Sequence, residues 1–427
     1  MVAACSTAPG GGAQAGNPGL GTREVTLRVW HWDNYQIEPQ TKNAADLTAR
    51  YSSIKAVLEL VPQAQYLDKL FAQVSGGSPP DTIGVSVTGG MNALQANGML
   101  SPLDAQMKRD RLDTSDFYEH VLRTHTWAGN QVGLPYNWTV VSWFFNEDLF
   151  KKHGQKTPYE HWKAGTWTWD TYLDITNALR RPQDDLYGTA ALPAQNATIG
   201  FPLAWSNDGD VFDKDYSKAT FEQGPALQTW EWMHRVTQLS PKGDAAREAT
   251  PLSGKVGLWY QWLPNYLLYR TQVGNQLPFT YGVVPPPAMP RTKKSVFIVN
   301  APGWGVVKES KNQEEAWALL RQLVAPESMR RTYLEAASPP ARKSLSTSRD
   351  FWKSHPDLPS PDVMLELVEA RSKFTRGLPR LSNFADLQAV LNEEFGAAWA
   401  DKQSVRDAAL KTSQRATQLL KDGAVDK

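Results

Sequence analysis

Six short stretches of this 427-residue chain set aromatic rings among amides, carboxylates and glycines. They are WHWDNY (30–35), YNW (136–138), GTWTW (165–169), WSNDGD (205–210), WYQWLPNY (259–266) and PGW (302–304). A core tryptophan usually sits inside an apolar run, whereas one flanked by Asn, Asp, Gln and Gly more often lies half-exposed on a loop. Flat indole faces beside paired hydrogen-bonding groups suit a sugar ring, which offers C–H faces for stacking and a rim of hydroxyls. The chain has 17 Trp, 14 Tyr and 14 Phe, so core packing competes with this reading at every single position.

Other chemistries fit less well. Asp208, Asp210, Asp213 and Asp215 are spaced like a calcium loop. Counted from Asp208, however, the loop lacks Gly at position six and Glu at position twelve. The seven histidines form no H-E-x-x-H pattern, and one cysteine gives little basis for zinc. There is no P-loop and no G-x-S-x-G, which removes an ATPase and the nucleophile-elbow hydrolases. A glycoside hydrolase needs two carboxylates across the scissile bond, and the many Asp and Glu leave that rival open. A formal net charge of +1 gives no general electrostatic case for nucleic acid. No apolar run approaches the ~20 residues of a membrane span. At 41% hydrophobic and 21% charged residues the chain can build large cores.

The elements that must position these residues read as an α/β pattern. EVTLRVWHW, KAVLELVP and PPDTIGVSV read as strands, separated by helix-like TKNAADLTARYSS and QYLDKLFAQVSGG, the latter stopping at Gly76-Gly77. TWTWDTYLDITNALRR and GPALQTWEWMHRVTQL are amphipathic helices, the first with a cap near Thr168. DVFDKDYSKATF reads as a hairpin, GKVGLWYQW and FTYGVVPPP as strands, and the C-terminal part as helices. Strands alternating with helices predict a mostly parallel sheet. In such sheets ligands sit beyond the carboxyl ends of strands. That rule selects Trp32, Asp33 and Asn34 after the first strand, and Ser86 and Thr88 after Ile83–Val85. It also selects Tyr260, Gln261 and Trp262 at the end of Gly257–Trp259.

The order of the segments resembles the extracellular solute-binding proteins of bacterial ABC importers, in the group that includes maltose-binding protein. The likeness spans about residues 24–427. It rests on VTLRVWHWDN, PPDTIGVS, GLPYNWTVVSWFFNEDLF, VFDKDYSKATF, SGKVGLWYQW and VNAPGWGVVKESKNQEEAWALLRQL standing in the family's order. The resemblance implies a two-lobed periplasmic-binding-protein-like fold (type II), each lobe a mainly parallel sheet flanked by helices, with ligand in the cleft. It places the N-terminal lobe at 24–134 plus 304–338 and the C-terminal lobe at 135–303 plus 339–427. Crossovers then fall near 130–140, 298–305 and 336–345. It adds Asn137, Trp138, Trp205, Asn207, Asp208 and Trp304 to the binding candidates. Trp262, Trp304, Trp205 and Trp138 are the expected stacking platforms, and Asp33, Asn137 and Asp208 the hydrogen-bonding groups. The implied role is non-enzymatic capture of a carbohydrate, a di- or oligosaccharide, for an ABC permease. No cofactor or metal is implied, and the chain is expected to act as a monomer. A polyol, polyamine or peptide is the alternative solute.

Val2-Ala3-Ala4-Cys5 resembles the end of a bacterial lipoprotein signal, which implies a lipid anchor on Cys5 and an extracytoplasmic, membrane-tethered location. Residues 6–22 contain six Gly, two Pro and no charge, and read as a flexible tether. As a coil it would span roughly 20–25 Å.

Overall fold

The computed structural model describes residues 20, 22–263, 277–355 and 360–426, so Cys5 and most of the 6–22 segment lie outside the described residues. The strands in chain order are β1 (Val25–His31), β2 (Ile54–Leu60), β3 (Thr82–Val85), β4 (Thr126–Trp127), β5 (Asn130–Gln131), β6 (Leu134–Pro135) and β7 (Val141–Asn146). They continue with β8 (Tyr187–Thr189), β9 (Val256–Trp262), β10 (Tyr281–Val284), β11 (Phe297–Val299), β12 (Gly303–Val306) and β13 (Thr375–Gly377).

Two sheets organise the α/β fold, one in each lobe. The first has the order β2-β1-β3-β12-β6 and the second β10-β7-β9-β8. Parallel pairing is confined to β1 with β2 and β3 in the first sheet and to β8 with β9 in the second. β12 runs antiparallel to β3 and β6, and β7 antiparallel to β9 and β10. The sheets are therefore mixed, where the strand–helix alternation predicts mainly parallel ones. The reason is the path of the chain. A strand that returns to a sheet from the opposite lobe enters it in the opposite direction, and no crossover helix is needed to align it.

Local sequence explains most of the elements. The helix Trp169–Leu179 starts at Thr168, whose hydroxyl accepts from Thr171 N. The helix Tyr66–Ser75 ends at Gly76. The segment 313–336 forms two helices, Gln313–Leu323 and Pro326–Ala336, broken where Pro326 opens the second. The first helix differs from its sequence reading: it spans Asn34–Arg50 and contains Pro39. Its buried face begins with Gln36, Pro39, Gln40 and Asn43, so apolar spacing cannot reveal its first two turns. Asn43 is satisfied there by Ser328 O and the Thr332 hydroxyl of a neighbouring helix.

The chain passes between the lobes from β6 to β7 and from β11, which pairs with β13 in a separate two-stranded sheet, to β12. The two passages lie side by side. Thr139 N donates to Asn300 O at 3.0 Å and Asn300 N to Thr139 O at 3.2 Å. The segment 338–341 joins them, with Trp138 N donating to Pro339 O and a bridge between Asn137 and Pro340. Beyond it Arg342 pairs with Asp116 at 3.2 Å, and Phe351 stacks on Tyr333 of the helix Pro326–Ala336.

Two buried imidazoles brace this junction. His125 Nε2 donates to Ala301 O at 2.7 Å, just before β12. Gly303 makes room for that ring, since a Cβ there would stand 2.3 Å from His125 Cε1. His31 Nδ1 accepts from Asp33 N, so its Nε2 donates to Tyr136 OH at 3.1 Å. Burial pushes the His31 pKa down to about 3 and that of His125 down to about 4. An unfolded His binds its proton near pH 6.5. Folded-state pKa values below that mean stability is lost as pH falls from 6.5 towards 4. His125→Gln should flatten the stability-against-pH curve between pH 5.5 and 4.5 by one proton, about 1.4 kcal/mol per pH unit. Urea denaturation at each pH would measure it, and an unchanged slope would show that His125 is protonated in the fold.

Candidate functional site

A cavity of about 670 Å³ opens between the two lobes. The first lobe contributes Gln63, Leu67, Thr88 and Asn92 to its wall, and the second contributes Gln195, Thr198 and Trp262. Ser382, just before the helix Phe384–Trp399, and Phe384, Gln388 and Asn392 on that helix complete the wall. Hydroxyls, carboxamides and two aromatic rings thus share the wall. Among the described residues that line it, none is ionisable. The volume falls within the range of small-molecule sites.

The strand ends hold these groups in place. Trp262 closes β9, paired with Val141 of β7 across the second sheet, and remains half-buried. Gln261 Oε1 accepts from Trp262 N at 2.8 Å, and Tyr260 lies 6.4 Å from the Trp143 ring. At the end of β1, Trp32 stacks on His31 at 4.7 Å and meets Tyr66 edge-on at 5.5 Å. Its ring lies against Gly84, where a Cβ would stand 2.9 Å from it, so only glycine permits this approach. Asp33 precedes the helix Asn34–Arg50 but makes no side-chain cap. Its carboxylate accepts from Tyr35 OH at 3.4 Å, and burial pushes its pKa up to about 6. Asn34 is exposed at the start of the helix.

The remaining candidates are placed elsewhere. Ser86 is buried and accepts from Gly89 N, shaping the loop that presents Thr88 to the cavity. Asn137 and Trp138 lie in the first passage, where Asn137 Nδ2 bonds the Ser338 hydroxyl. Trp138 is fully buried, with Tyr118 at 4.4 Å, His120 at 4.8 Å and the Arg371 guanidinium at 4.1 Å from its ring. Trp304, also fully buried, sits in β12 against His31 and Tyr136. Trp205 is buried under Arg376, and its Nε1 donates to Asp210 at 3.3 Å. Asn207 ends the helix Ala197–Ser206 and donates to Pro225 O. Asp208 is exposed and paired with Lys294 and Arg291. Of the residues selected from sequence, only Trp262 and Thr88 line the inter-lobe cavity; Trp32, Asp33, Asn34, Ser86, Tyr260 and Gln261 do not, and neither do these last six. The nearby acids also have local partners. Asp213 accepts from Ser217 N and Lys218 N, closing the hairpin marked by the Phe212–Ala219 bridge.

A family model described as bacterial extracellular solute-binding protein matches residues 38–330, more than half of the chain. The chain belongs to the bacterial extracellular solute-binding proteins. A binding protein of Brucella abortus (strain 2308) is 23% identical to this solute-binding protein over 362 residues, 83% of this chain and 84% of the relative. Among solved structures, an ABC substrate-binding protein from Listeria monocytogenes in complex with cycloalternan superposes with a TM-score of 0.78. It is 17% identical, covering 93% of this chain and 98% of that one. Maltose-bound MalE3 of T. maritima gives a TM-score of 0.76 at 17% identity, covering 92% and 99%.

Sequence reasoning missed Phe384, Asn92 and Gln195 of this solute-binding protein. Phe384 stands in LSNFAD, a polar–aromatic stretch like the six selected ones but without tryptophan. Asn92 and Gln195 have no aromatic neighbour in sequence, and only the tertiary fold brings them to the cavity. The two kinds of tryptophan should behave differently. Trp138→Ala is expected to cost about 3–5 kcal/mol of unliganded stability, as for a fully buried aromatic. Trp262→Ala should cost less than half of that, because part of its ring already faces solvent. Urea unfolding followed by circular dichroism separates them; equal losses would place Trp262 in the core.

Proposed function

We propose that this solute-binding protein captures an uncharged sugar of two or more rings and delivers it to an ABC permease, without catalysing a reaction. The observation that carries this is the cavity wall, where amides, hydroxyls and a half-buried indole stand together with no ionisable side chain among the described residues. Such a wall can pair with hydroxyls and stack on ring faces. A polyamine would leave its charges unpaired there, at a cost of several kcal/mol. A peptide's ionised termini meet the same barrier. A hydrolase would need two carboxylates facing the scissile bond, and the wall supplies none. The sugars named with the Listeria and Thermotoga structures, cycloalternan and maltose, support the class of ligand.

Trp262 is the stacking platform in this reading. The lobes comprise 24–134 with 304–338 and 135–303 with 339–427, and they close by bending at the paired passages. Cys5 carries the lipid that holds the monomer outside the cytoplasmic membrane. Among the described residues no helix is long and apolar enough to cross a membrane.

A thermal-shift panel of mono-, di- and oligosaccharides, polyols and polyamines tests the proposal. A ligand at about 100 times its Kd should add about 2.7 kcal/mol of stability. A shift from oligosaccharides with no product formed is the expected result; a shift from a polyamine alone would refute the sugar. Trp262→Ala should weaken the active sugar by at least tenfold. Isothermal titration of the variant measures that loss, and an unchanged Kd would remove Trp262 from the site.

A further inference from the structure

Two residues on opposite walls of the cavity have hydrogen-bonding groups with no partner in the protein. Asn92, in the short helix Met91–Ala96 of the first lobe, is 1% exposed. Neither its Oδ1 nor its Nδ2 is bonded. Gln195, before the helix Ala197–Ser206 of the second lobe, has a buried Oε1 without a partner. Both residues line the inter-lobe cavity. Nearly all buried polar groups in folded proteins are hydrogen-bonded, and each exception calls for an explanation. Their neighbours are satisfied locally. Asn196 accepts from Thr198 N, and Gln388 donates to Gln195 O. Other buried groups elsewhere in the protein also lack partners, but among the described residues Asn92 and Gln195 are the ones that line the cavity.

Resting on the sugar reading above, we propose that Asn92 and Gln195 form a cross-lobe pair that reads neighbouring hydroxyls of an uncharged sugar. A carboxamide matches two adjacent hydroxyls: its oxygen accepts from one while its N–H donates to the other. Asn92 offers both groups from the first lobe, and Gln195 Oε1 offers an acceptor from the second. A sugar bonded to both ties the lobes together, so this pair couples recognition to closure. It also sets specificity. A site built to bond hydroxyls rejects analogues that leave its buried amides unpaired, so deoxygenated or methylated sugars should bind poorly. Gln95, one turn beyond Asn92, has an equally unpartnered buried amide but does not line the cavity, which makes it the control position.

The test uses the full chain and the sugar that gives the largest thermal shift. Asn92→Leu and Gln195→Met keep side-chain size while removing polar groups. Each should weaken that sugar at least tenfold by isothermal titration, and Gln95→Met should leave its affinity within twofold. Unliganded Asn92→Leu should be no less stable than wild type in urea, because an unpaired buried amide has been replaced by an apolar group. Unchanged affinity in both variants would overturn the pair while leaving the sugar reading intact. A marked loss of unliganded stability or failure to fold in Asn92→Leu would make Asn92 structural and overturn its half; Gln195→Met then decides the other. Wild type that binds no sugar at all would overturn the sugar reading and the pair with it.

Discussion

The two hydrogen bonds between Thr139 and Asn300 hold the two inter-lobe passages side by side, and the placement of the cavity depends on them. Everything at the junction reinforces that bridge. Tyr136 N and Asn137 N both donate to Pro302 O, and His125 holds Ala301 O from the far side. Trp138 fills the space beneath the passage. Arg371 from the helix Pro361–Lys373 lies over its ring and donates to its carbonyl at 3.1 Å. The guanidinium is buried, and burial pushes its pKa down to about 10, so it stays charged at neutral pH. A desolvated cation over an indole face is the setting in which this attraction is strongest. A junction built this way resists shear between the passages, while bending needs only a few backbone angles to change.

From that junction β3 and β9 reach the cavity, which Val87 and Thr88 beyond β3 and Trp262 at the end of β9 line. The sheets are mixed because β12 and β6 adjoin the passages, and that returning geometry sets β12 between β3 and β6. It explains why Trp304 lies inside the first sheet, between β3 and β6, fully buried and without a face to offer a ligand. It also explains Gly84, which faces β12 and leaves room on its other side for Trp32. Aromatic residues thus divide by position. Those on interior strands and passages support the frame, and those at the free ends of β1 and β9 retain an open edge.

The elements themselves were largely legible in the sequence, because alternation, Gly-Gly and Pro stops and the Thr168 cap are local signals. The inter-lobe site was legible only in part. The rule that tryptophan flanked by polar residues lies on a binding loop selects Trp262 and Trp138 alike. What it cannot see is where the flanking polar groups are used. Beside Trp138, Asn137 bonds the Ser338 hydroxyl across the junction; beside Trp205, Asp210 takes the indole N–H and Asn207 holds Pro225 O. In each case polarity beside the ring serves backbone or side chains far away in sequence. The converse failure is Asn92, whose surroundings in sequence, GGMNALQANG, carry no aromatic signal at all. Its relevance comes from being buried without a partner, a property that exists only in three dimensions.

Charge placement completes the division of labour. Ion pairs such as Asp208 with Lys294, Asp210 with Arg376 and Arg331 with Asp46 lie away from the cavity, on surfaces where each contributes little to stability. The cavity wall keeps its polar groups neutral, so a hydroxylated ligand meets no large desolvation penalty from protein charges. Unpaired amides on both lobes carry a standing cost in the unliganded protein that a bridging ligand removes. A ligand can shift the lobes towards closure only by binding the closed arrangement better than the open one. Hydrogen bonds made simultaneously to Asn92 and Gln195 exist only when the lobes are close, and they supply that difference. A one-lobe ligand, however tightly held, would not.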